Sequence, residues 1–363
     1  MKIVLTGGGT GGHIYPALAF AKYLKTVEQD AEILYIGTEK GLESKIVPAA
    51  GYDFKTIDIQ GIRRSLSLEN IRTVWKYLRS TAVARKMLRD FKPDIVLGTG
   101  GYVSAPVVNA ANQLKIPTII HEQNAVPGVA NKVLSKKVTK VALAFHHAEQ
   151  YFPAGKIVFT GNPRAQEVAD IASSDILKSF GLNPEKKTVV IFGGSRGALT
   201  MNKAMVEALP ELANQEFQTL YASGDIYYDD FKEDFEKYAI KANISIRPYI
   251  SNMSELLSSI DLIVARSGAT TIAEVTALGL PSIFVPSPNV TNDQQTKNAM
   301  ELVDAGAALL IKDSELNAEN LIQNISDILY DEVKYSQMQK ASLSAGVPDA
   351  SERLYKVIKE IIK

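Results

Sequence analysis

Short, almost wholly apolar segments alternate with segments of helical periodicity along most of the chain, and no other feature constrains the fold as much. The apolar segments occupy residues 3–6, 33–37, 95–98, 118–120, 138–142 and 157–160, and then 188–192, 217–222, 244–248, 262–265 and 282–285. Apolar strands separated by helices are typical of a parallel sheet that is covered on both faces. The sequence therefore predicts an α/β protein with two doubly wound parallel-sheet domains that face each other across a cleft.

The break between the two series of strands predicts the domain boundary. Gly161, Asn162 and Pro163 form a turn-prone sequence at this point. We predict one domain over residues 1–162 and a second over residues 163–345. A last amphipathic helix is predicted for about residues 351–363. Its periodicity alone does not decide which domain it contacts.

The overall composition excludes several classes of protein. Lysine and arginine total 40, as do aspartate and glutamate, so the formal net charge is zero. This balance argues against a nucleic-acid-binding protein, which needs a basic field. The chain has no cysteine, which excludes disulfides and thiolate metal sites. No apolar run reaches the ~20 residues that span a bilayer, and the N-terminal segment lacks the apolar core of a signal peptide, so we expect any membrane contact to be peripheral.

Three glycine-rich loops follow predicted strands and precede predicted helices. They are residues 7–12, 98–102 and 193–198. Glycine lets backbone amides approach an anion closely, and a helix N-terminus adds partial positive charge. Each loop alone could be a plain packing turn, and the first also matches the GxGxxG pattern of dinucleotide sites, with Glu39 as the acidic residue for the ribose. Because that interpretation leaves the other loops unexplained, we favour a site for a nucleotide or a polar sugar.

Polar clusters follow other predicted strands, at the strand ends where doubly wound sheets bind ligands. The clusters are residues 121–124, 266–274 and 293–299. Glu274 could accept hydrogen bonds from both ribose hydroxyls, or could be an ordinary acidic residue near a helix start. Gln294 and Gln295 could bind sugar hydroxyls, or could begin a solvated helix. His13 is the candidate general base, because it adjoins the first glycine loop and titrates near neutral pH.

Two basic segments suit a membrane surface. The helix predicted over residues 67–90 places Trp75 and Leu78 on one side and basic residues on the adjacent side. A basic stripe beside an apolar stripe is typical of interfacial helices, although the apolar side could also pack on the sheet. A second basic segment covers residues 132–140. The residues expected to contact an anionic membrane are Arg72, Trp75, Lys76, Arg79, Lys136 and Lys137.

Taken in order, the motifs resemble those of one family. They are Gly9–His13 with Pro16, Gly100–Val103, His121–Asn124, Gly161–Pro163, Gly193–Ala198, and Arg266–Ala269 through Glu274 to Gln295 and Asn298. This combination resembles the MurG-type family of bacterial peptidoglycan N-acetylglucosaminyltransferases. The resemblance implies the GT-B glycosyltransferase fold, with two Rossmann-like domains and a C-terminal helix that returns to the first domain. It also implies an inverting transfer of N-acetylglucosamine from UDP-N-acetylglucosamine to the 4-hydroxyl of the muramoyl sugar of lipid I, giving lipid II, with no cofactor and no metal.

The resemblance also implies roles for individual residues. His13 would be the catalytic base, Glu274 would hold the ribose, and the backbone at Ile250 would face the uracil. The expected donor-binding residues are Thr10, Gly11, Gly12, Asn124, Arg164, Ser195, Arg196, Ile250, Ala269, Glu274, Gln294 and Gln295. Of these, Arg196 departs from the family pattern, and its role is inferred from its positive charge on the third glycine loop. The expected acceptor-binding residues are Gly9, Thr10, Gly100, Gly101, Tyr102 and Glu122. The first domain would bind the acceptor and the membrane, with the first two glycine loops facing the acceptor diphosphate, and the second domain would bind the donor.

Four alternatives remain at this point. A glycosyltransferase for another lipid acceptor, such as diacylglycerol, would share the donor site and the basic amphipathic helix. A sugar-nucleotide epimerase or hydrolase would need no lipid-facing surface. An NAD oxidoreductase would have a single dinucleotide site, and a non-catalytic protein would bind UDP-sugar without turnover. The preferred interpretation places the protein peripherally on the cytoplasmic face of the cell membrane, with other cell-wall or division proteins as further candidate partners.

Overall fold

The computed structural model describes residues 1–61, 68–194, 196–238 and 243–363, with the backbone alone for residues 68–72. These residues form two compact units. Unit 1 comprises Met1–Glu167 together with Asp349–Lys363, and unit 2 comprises Val168–Pro348. The division therefore falls a few residues after the boundary predicted at Asn162.

Unit 1 is built from alternating strands and helices. Its elements are β1 (Lys2–Gly7), α1 (Gly11–Val27), β2 (Glu32–Gly37), α2 (Glu43–Ala49), β3 (Asp53–Thr56), α3 (Leu68–Phe91), β4 (Ile95–Gly100), α4 (Gly101–Gln113), β5 (Thr118–Glu122), α5 (Val129–Leu134), β6 (Lys140–Leu143), β7 (Ile157–Phe159) and α6 (Pro163–Ala169), which runs past the division. In the described residues the strands form one parallel sheet in the order β3-β2-β1-β4-β5-β6-β7.

The central strand β1 shows why the sheet is covered on both faces. Successive strand residues point to opposite faces. Ile3 and Leu5 join a buried cluster with apolar residues of α1, whereas Val4 joins a second cluster with residues of α3 and α4. Both faces therefore bury apolar side chains, which explains why β1 is apolar throughout rather than alternating.

Unit 2 repeats the same architecture. Its elements are α7 (Ile176–Ser179), β8 (Thr188–Phe192), α8 (Leu199–Leu212), β9 (Gln218–Ala222), α9 (Lys232–Glu236), β10 (Ile244–Arg247), α10 (Met253–Leu257), β11 (Leu262–Ala265), α11 (Ala269–Leu278), β12 (Ser282–Phe284), α12 (Gln294–Asp304), β13 (Ala308–Leu310), α13 (Ala318–Leu329) and α14 (Glu332–Ala345). The described strands form a parallel sheet in the order β10-β9-β8-β11-β12-β13. Two covered parallel sheets were predicted from the sequence, and this prediction is confirmed.

The last helix, α15 (Ala350–Ile362), belongs to unit 1. Leu354 and Ile358 are fully buried in the cluster that covers the α1 side of the first sheet. Lys359 forms an ion pair with Glu28 at 2.8 Å. Burying one large aliphatic side chain contributes about 1.5–3 kcal/mol, so the apolar stripe accounts for most of the attachment.

Within the described ranges, no helix combines the length and the apolar character needed to cross a membrane.

Candidate functional site

The first glycine loop connects β1 to the start of α1. Thr10 precedes the helix with extended backbone angles, and the first helical turn has no acidic residue. A Cβ atom added at Gly12 would meet only the Thr10 hydroxyl, at 3.8 Å. The first amides of a helix have no partner within the helix, and they attract anions. The amides of Gly11 and Gly12 are therefore the part of the loop best suited to a phosphate.

The second glycine loop lies against the first and requires glycine at two positions. Gly100 and Gly101 have φ angles of +105° and +76°, which other residues rarely adopt. A Cβ atom at Gly100 would lie 2.8 Å from Cδ2 and 3.1 Å from Nε2 of His13. The Thr99 hydroxyl donates to the carbonyl of His13 at 2.6 Å. The backbones of the two loops are therefore packed together around His13.

His13 has the properties of a proton acceptor. Its Nδ1 lies 3.1 Å from the Gly8 carbonyl oxygen and 3.2 Å from the Thr10 hydroxyl. Since a carbonyl can only accept, Nδ1 carries the proton in the neutral ring and Nε2 presents its lone pair beside Gly100. Burial lowers the pKa of His13, while the hydrogen bond to Gly8 and the charge of Glu43 oppose this effect. The ring is therefore neutral near pH 7 and able to take a proton at Nε2.

A buried carboxylate beside the first loop, that of Glu43, was not predicted from the sequence. Glu43 begins α2 and is fully buried. It accepts hydrogen bonds from the Gly9 amide at 3.2 Å, from the Thr38 amide at 3.1 Å and from the Thr38 hydroxyl at 2.6 Å. Because the Gly9 amide already donates to a carboxylate, Gly9 can approach an acceptor phosphate only through its Cα.

The Glu43 carboxylate also argues against a dinucleotide site at the first glycine loop. Glu39, the acidic residue that this alternative requires, is exposed. The loop amide of Gly9, which would approach a pyrophosphate, instead donates to the Glu43 carboxylate. An anion bound there would be repelled by that buried negative charge. Unit 1 therefore lacks the local chemistry of a dinucleotide site at Gly9.

The polar cluster after β5 is held within unit 1. Each oxygen of the buried Glu122 carboxylate accepts two hydrogen bonds: Oε1 from the amide and the side chain of Asn124, and Oε2 from the Gly128 amide and the Asn131 side chain. Burial raises the pKa of Glu122, and these donors lower it. The carboxylate orders the loop that carries Asn124, so its contribution to acceptor binding would be indirect.

His121 is a structural histidine. It is fully buried, and its Nε2 donates to the Gly161 carbonyl at 2.8 Å. Its Nδ1 accepts from the Gln123 side chain at 3.1 Å, and Gln123 also donates to the Thr99 carbonyl at 2.7 Å. Burial lowers the pKa of His121 to about 4, so the ring stays neutral. The network connects β5 to the second glycine loop.

The third glycine loop, after β8, faces the loop after β9. Gly194 and Gly197 have φ angles of +92° and +75°. A Cβ atom at Gly197 would collide with the Ser223 carbonyl oxygen. Arg196 is exposed on this loop, and the predicted donor-binding residue Ser195 lies outside the described residues. The loop packs closely against Ser223 at Gly197, and it exposes the positive charge of Arg196. A cation of this kind suits a diphosphate site.

The start of α11 offers a second anion-binding helix end in unit 2. Gly268 precedes the helix in extended conformation, and a Cβ there would find only the Thr271 hydroxyl, at 3.9 Å. Ala269 begins the helix and is buried, and Glu274 is buried within it. Arg266, before the helix, donates to the Val285 carbonyl at 2.9 Å and pairs with Asp313. Arg266 therefore fixes the local backbone.

Gln295 connects this region to the start of α12. Its side-chain oxygen accepts from the Ser287 amide at 2.7 Å, and its carbonyl accepts from the Ser267 hydroxyl at 2.9 Å. Gln294 is half-buried beside it, and the preceding Asp293 has a φ angle of +52°. The side-chain oxygen of Gln295 therefore already accepts a hydrogen bond, and its side-chain NH₂ group remains as a donor to a sugar hydroxyl.

The remaining predicted residues lie in different places. Tyr102 is partly exposed, with its ring against Gly9, and burial raises its pKa. Ile250 is buried after β10. Arg164 lies in unit 1, where it pairs with Glu167 and lies over the Tyr15 ring at 5.8 Å. The guanidinium of Arg164 is thus already paired, and it would have to exchange partners to bind a donor phosphate.

The predicted membrane helix exposes its apolar side. Trp75 and Leu78 are each 61% exposed and Val74 is 55% exposed, whereas Ala84 and Leu88 further along the helix are buried. Arg79 lies 5.7 Å from the Trp75 ring centre. We call the exposed group Val74, Trp75, Leu78 and Arg79 the Trp75 face.

The other predicted membrane residues differ in their availability. Lys76 pairs with Asp58 at 2.7 Å and is largely covered, so its charge is partly neutralised. Lys136 and Lys137 are exposed. Arg72 lies in α3, and its side chain is outside the described part of the structure.

Comparisons with known proteins define the class. The glycosyltransferase family 28 N-terminal domain matches residues 3–143, and the glycosyltransferase family 28 C-terminal domain matches residues 188–354. The chain belongs to glycosyltransferase family 28.

Comparisons with individual proteins show which members of this family the chain is similar to. The chain is 64% identical, over 99% of both chains, to the UDP-N-acetylglucosamine--N-acetylmuramyl-(pentapeptide) pyrophosphoryl-undecaprenol N-acetylglucosamine transferase of Lactococcus lactis subsp. cremoris (strain MG1363). It is 51% identical, over all of both chains, to the protein of the same name from Halalkalibacterium halodurans. The crystal structure of Acinetobacter baumannii MurG is similar with a TM-score of 0.78 at 30% identity, over 99% of both chains. The expected MurG-type family and GT-B fold class are confirmed.

Proposed function

We propose that this chain transfers N-acetylglucosamine from UDP-N-acetylglucosamine to the muramoyl 4-hydroxyl of lipid I and so forms lipid II. The observation that supports this most strongly is the 64% identity, over 99% of both chains, to a transferase named for this donor and this acceptor. The arrangement around His13 supplies the base that such a reaction requires.

The chemistry is a single displacement. Nε2 of His13 takes the proton of the acceptor hydroxyl as its oxygen attacks the anomeric carbon, and the bond to UDP breaks with inversion. The hydrogen bond from Nδ1 to the Gly8 carbonyl fixes the tautomer that this step needs. Charge develops on the leaving diphosphate, where preorganised amides and cations stabilise it.

Unit 2 binds the donor in this proposal. Amides at the starts of α8 and α11 and the exposed Arg196 attract the diphosphate. Glu274 accepts hydrogen bonds from the ribose, and the backbone at Ile250 faces the uracil. The amide NH₂ of Gln295 donates to a hydroxyl of N-acetylglucosamine, and Gln294 and Asn124 supply further hydrogen bonds.

Unit 1 binds the acceptor and the membrane in this proposal. The amides of Gly11 and Gly12, with Thr10 and Tyr102 beside them, attract the acceptor diphosphate. The Trp75 face inserts its apolar side chains at the surface of the cytoplasmic leaflet, and Lys136 and Lys137 add about 1 kcal/mol each near anionic lipid. This places the chain where its lipid-linked acceptor is.

The base is tested by turnover of labelled UDP-N-acetylglucosamine with a lipid I analogue. His13→Ala should lower kcat by about 10²–10⁴-fold, the usual contribution of a general base. His147→Ala is the matched control, because His147 is exposed on a short 3-10 helix in the same unit. Equal turnover in both variants would remove His13 from the mechanism, while transfer by the wild type would still support the function.

The membrane contact is tested by sedimentation with lipid vesicles. A Trp75→Ser, Leu78→Ser double variant should lose most of its binding to vesicles that contain phosphatidylglycerol, because both side chains are exposed. Val333→Ser is the matched control, since Val333 is equally exposed in unit 2. Undiminished binding of the double variant would show that another surface contacts the membrane.

A further inference from the structure

One peptide group joins two side chains of unit 1 that are far apart in sequence. The amide of the Gly8–Gly9 peptide donates to Oε2 of Glu43 at 3.2 Å. The carbonyl of the same peptide lies 3.1 Å from Nδ1 of His13. A carboxylate and an imidazole are therefore connected through a single peptide group. In other enzymes a third group likewise orients the histidine base, and here the peptide group stands between the two side chains.

The carboxylate is held firmly at this position. Its other oxygen accepts from the amide and the hydroxyl of Thr38, at 3.1 and 2.6 Å. A Cβ atom on Gly8 would lie 2.6–2.7 Å from the carboxylate, and one on Gly37 would lie 2.7 Å from its Cγ. Glycine at both positions is what lets the carboxylate approach the loop backbone.

The negative charge beside the first glycine loop comes from Glu43 and not from the neighbouring tyrosines. Tyr35 of β2 donates to the Gly7 carbonyl at 2.8 Å, and Tyr102 of α4 covers Gly9. Burial raises the pKa of both phenols, and the negative charge of Glu43 raises it further, so both are neutral near pH 7. Glu43 is also the residue whose charge opposes the effect of burial on the pKa of His13.

We propose that Glu43 is a positioning residue for sugar transfer, which acts on His13 through the Gly8–Gly9 peptide. By accepting from the Gly9 amide, it holds the Gly8 carbonyl toward Nδ1, and Nε2 remains the nitrogen that takes the acceptor proton. When Nε2 is protonated, the positive ring donates more strongly from Nδ1 to a carbonyl that the carboxylate has polarised. The inference rests on the proposed function, because it assigns a partner to the proposed base.

The first test is the pH profile of kcat/KM for Glu43→Gln. The neutral amide removes the charge that supports the protonated ring, so the acid limb should move to lower pH. We expect kcat on the plateau to fall about tenfold, less than the ~10²-fold or more lost with a whole general base. A purely structural role would lower the amplitude without moving the limb.

Asp261→Asn is the matched control. Asp261 lies in unit 2, where its carboxylate accepts from the Thr188 amide at 2.8 Å, so the change removes a similar hydrogen-bonded carboxylate away from His13. Its acid limb should coincide with that of the wild type. An unmoved limb in Glu43→Gln, with an unchanged melting temperature, would overturn the proposal.

The second test measures the wild-type protein and needs no turnover. Nitrogen NMR of ¹⁵N-histidine-labelled protein, with His13 assigned by comparison with His13→Asn, identifies which ring nitrogen is protonated. The proposal requires a proton on Nδ1 in the neutral ring. A proton on Nε2 would overturn it, because Nδ1 could not then donate to Gly8. If wild-type turnover fails while Nδ1 is protonated, the proposed function is at fault, and the hydrogen bond from His13 to Gly8 through which Glu43 acts is retained.

Discussion

Replacing Gly100 by alanine tests the packing of the two glycine loops around His13. The backbone at Gly100 has φ +105° and ψ −172°, a region that costs other residues about 1–3 kcal/mol. The new Cβ would lie 2.8 Å from Cδ2 of His13, so the ring must move. Overpacking of this kind adds about 1–3 kcal/mol.

Together these two terms predict a loss of about 2–6 kcal/mol from the free energy of unfolding. For a unit of this size, that corresponds to a fall in melting temperature of about 4–24 °C. Displacing His13 by about 1 Å should also lower kcat by about 10²-fold. Thermal unfolding followed by circular dichroism and turnover with a lipid I analogue measure the two effects.

Gly155→Ala is the control for the Gly100 variant. No atom would lie within 4 Å of the new Cβ, and Gly155 has a negative φ angle. Its melting temperature should match or slightly exceed that of the wild type, because alanine reduces the freedom of the unfolded chain. A Gly100 variant that melts within about 2 °C of the wild type would refute the strain and packing argument.

Three further predictions concern other parts of the chain. Gly197→Ala should weaken binding of UDP-N-acetylglucosamine in calorimetry, because its Cβ would collide with the Ser223 carbonyl and deform the third loop; unchanged affinity would exclude this loop from the donor site. The pKa of His121 is lowered to about 4 from an unfolded value of 6.5, so its contribution, about 3 kcal/mol, is present above pH 6.5 and is lost as the pH falls toward 4. Urea unfolding at about pH 7.5 and about pH 5 should therefore show a smaller pH effect in His121→Gln than in the wild type, and equal effects would contradict the assignment. Leu354→Ala should destabilise unit 1 by about 2–5 kcal/mol in urea unfolding, because the side chain is fully buried, whereas Lys356→Ala on the outer side of α15 should not.

The central strands could be predicted from the sequence because each is apolar and bounded by turn residues. Of the four edge strands in the described sheets, two were predicted and two, Asp53–Thr56 and Ala308–Leu310, were missed. The first has a single apolar residue, Phe54, and is mostly exposed, and the second has only three residues. Short or polar edge strands resemble loops in sequence, and they are recognised only by their pairing.

The candidate site could be predicted only in part. The glycine loops and His13 were found because they stand beside strong strand patterns. Glu43 was missed, since its bond to the Gly9 amide joins residues 34 positions apart and depends on how β1 pairs with β2. A signal was present, however: Gly37, Thr38 and Gly41 surround a carboxylate that only small neighbours would admit. The pairing of Arg164 with Glu167 likewise needed the fold of α6.

The identity of the reaction product decides whether this chain forms lipid II. Purified wild-type protein is incubated with UDP-N-acetylglucosamine and either a lipid I analogue or diacylglycerol, and products are identified by mass spectrometry. We expect the lipid I analogue to gain one N-acetylhexosamine, with one UDP released for each transfer and no product from diacylglycerol. UDP release without transfer, or transfer to diacylglycerol at an equal rate, would contradict this expectation.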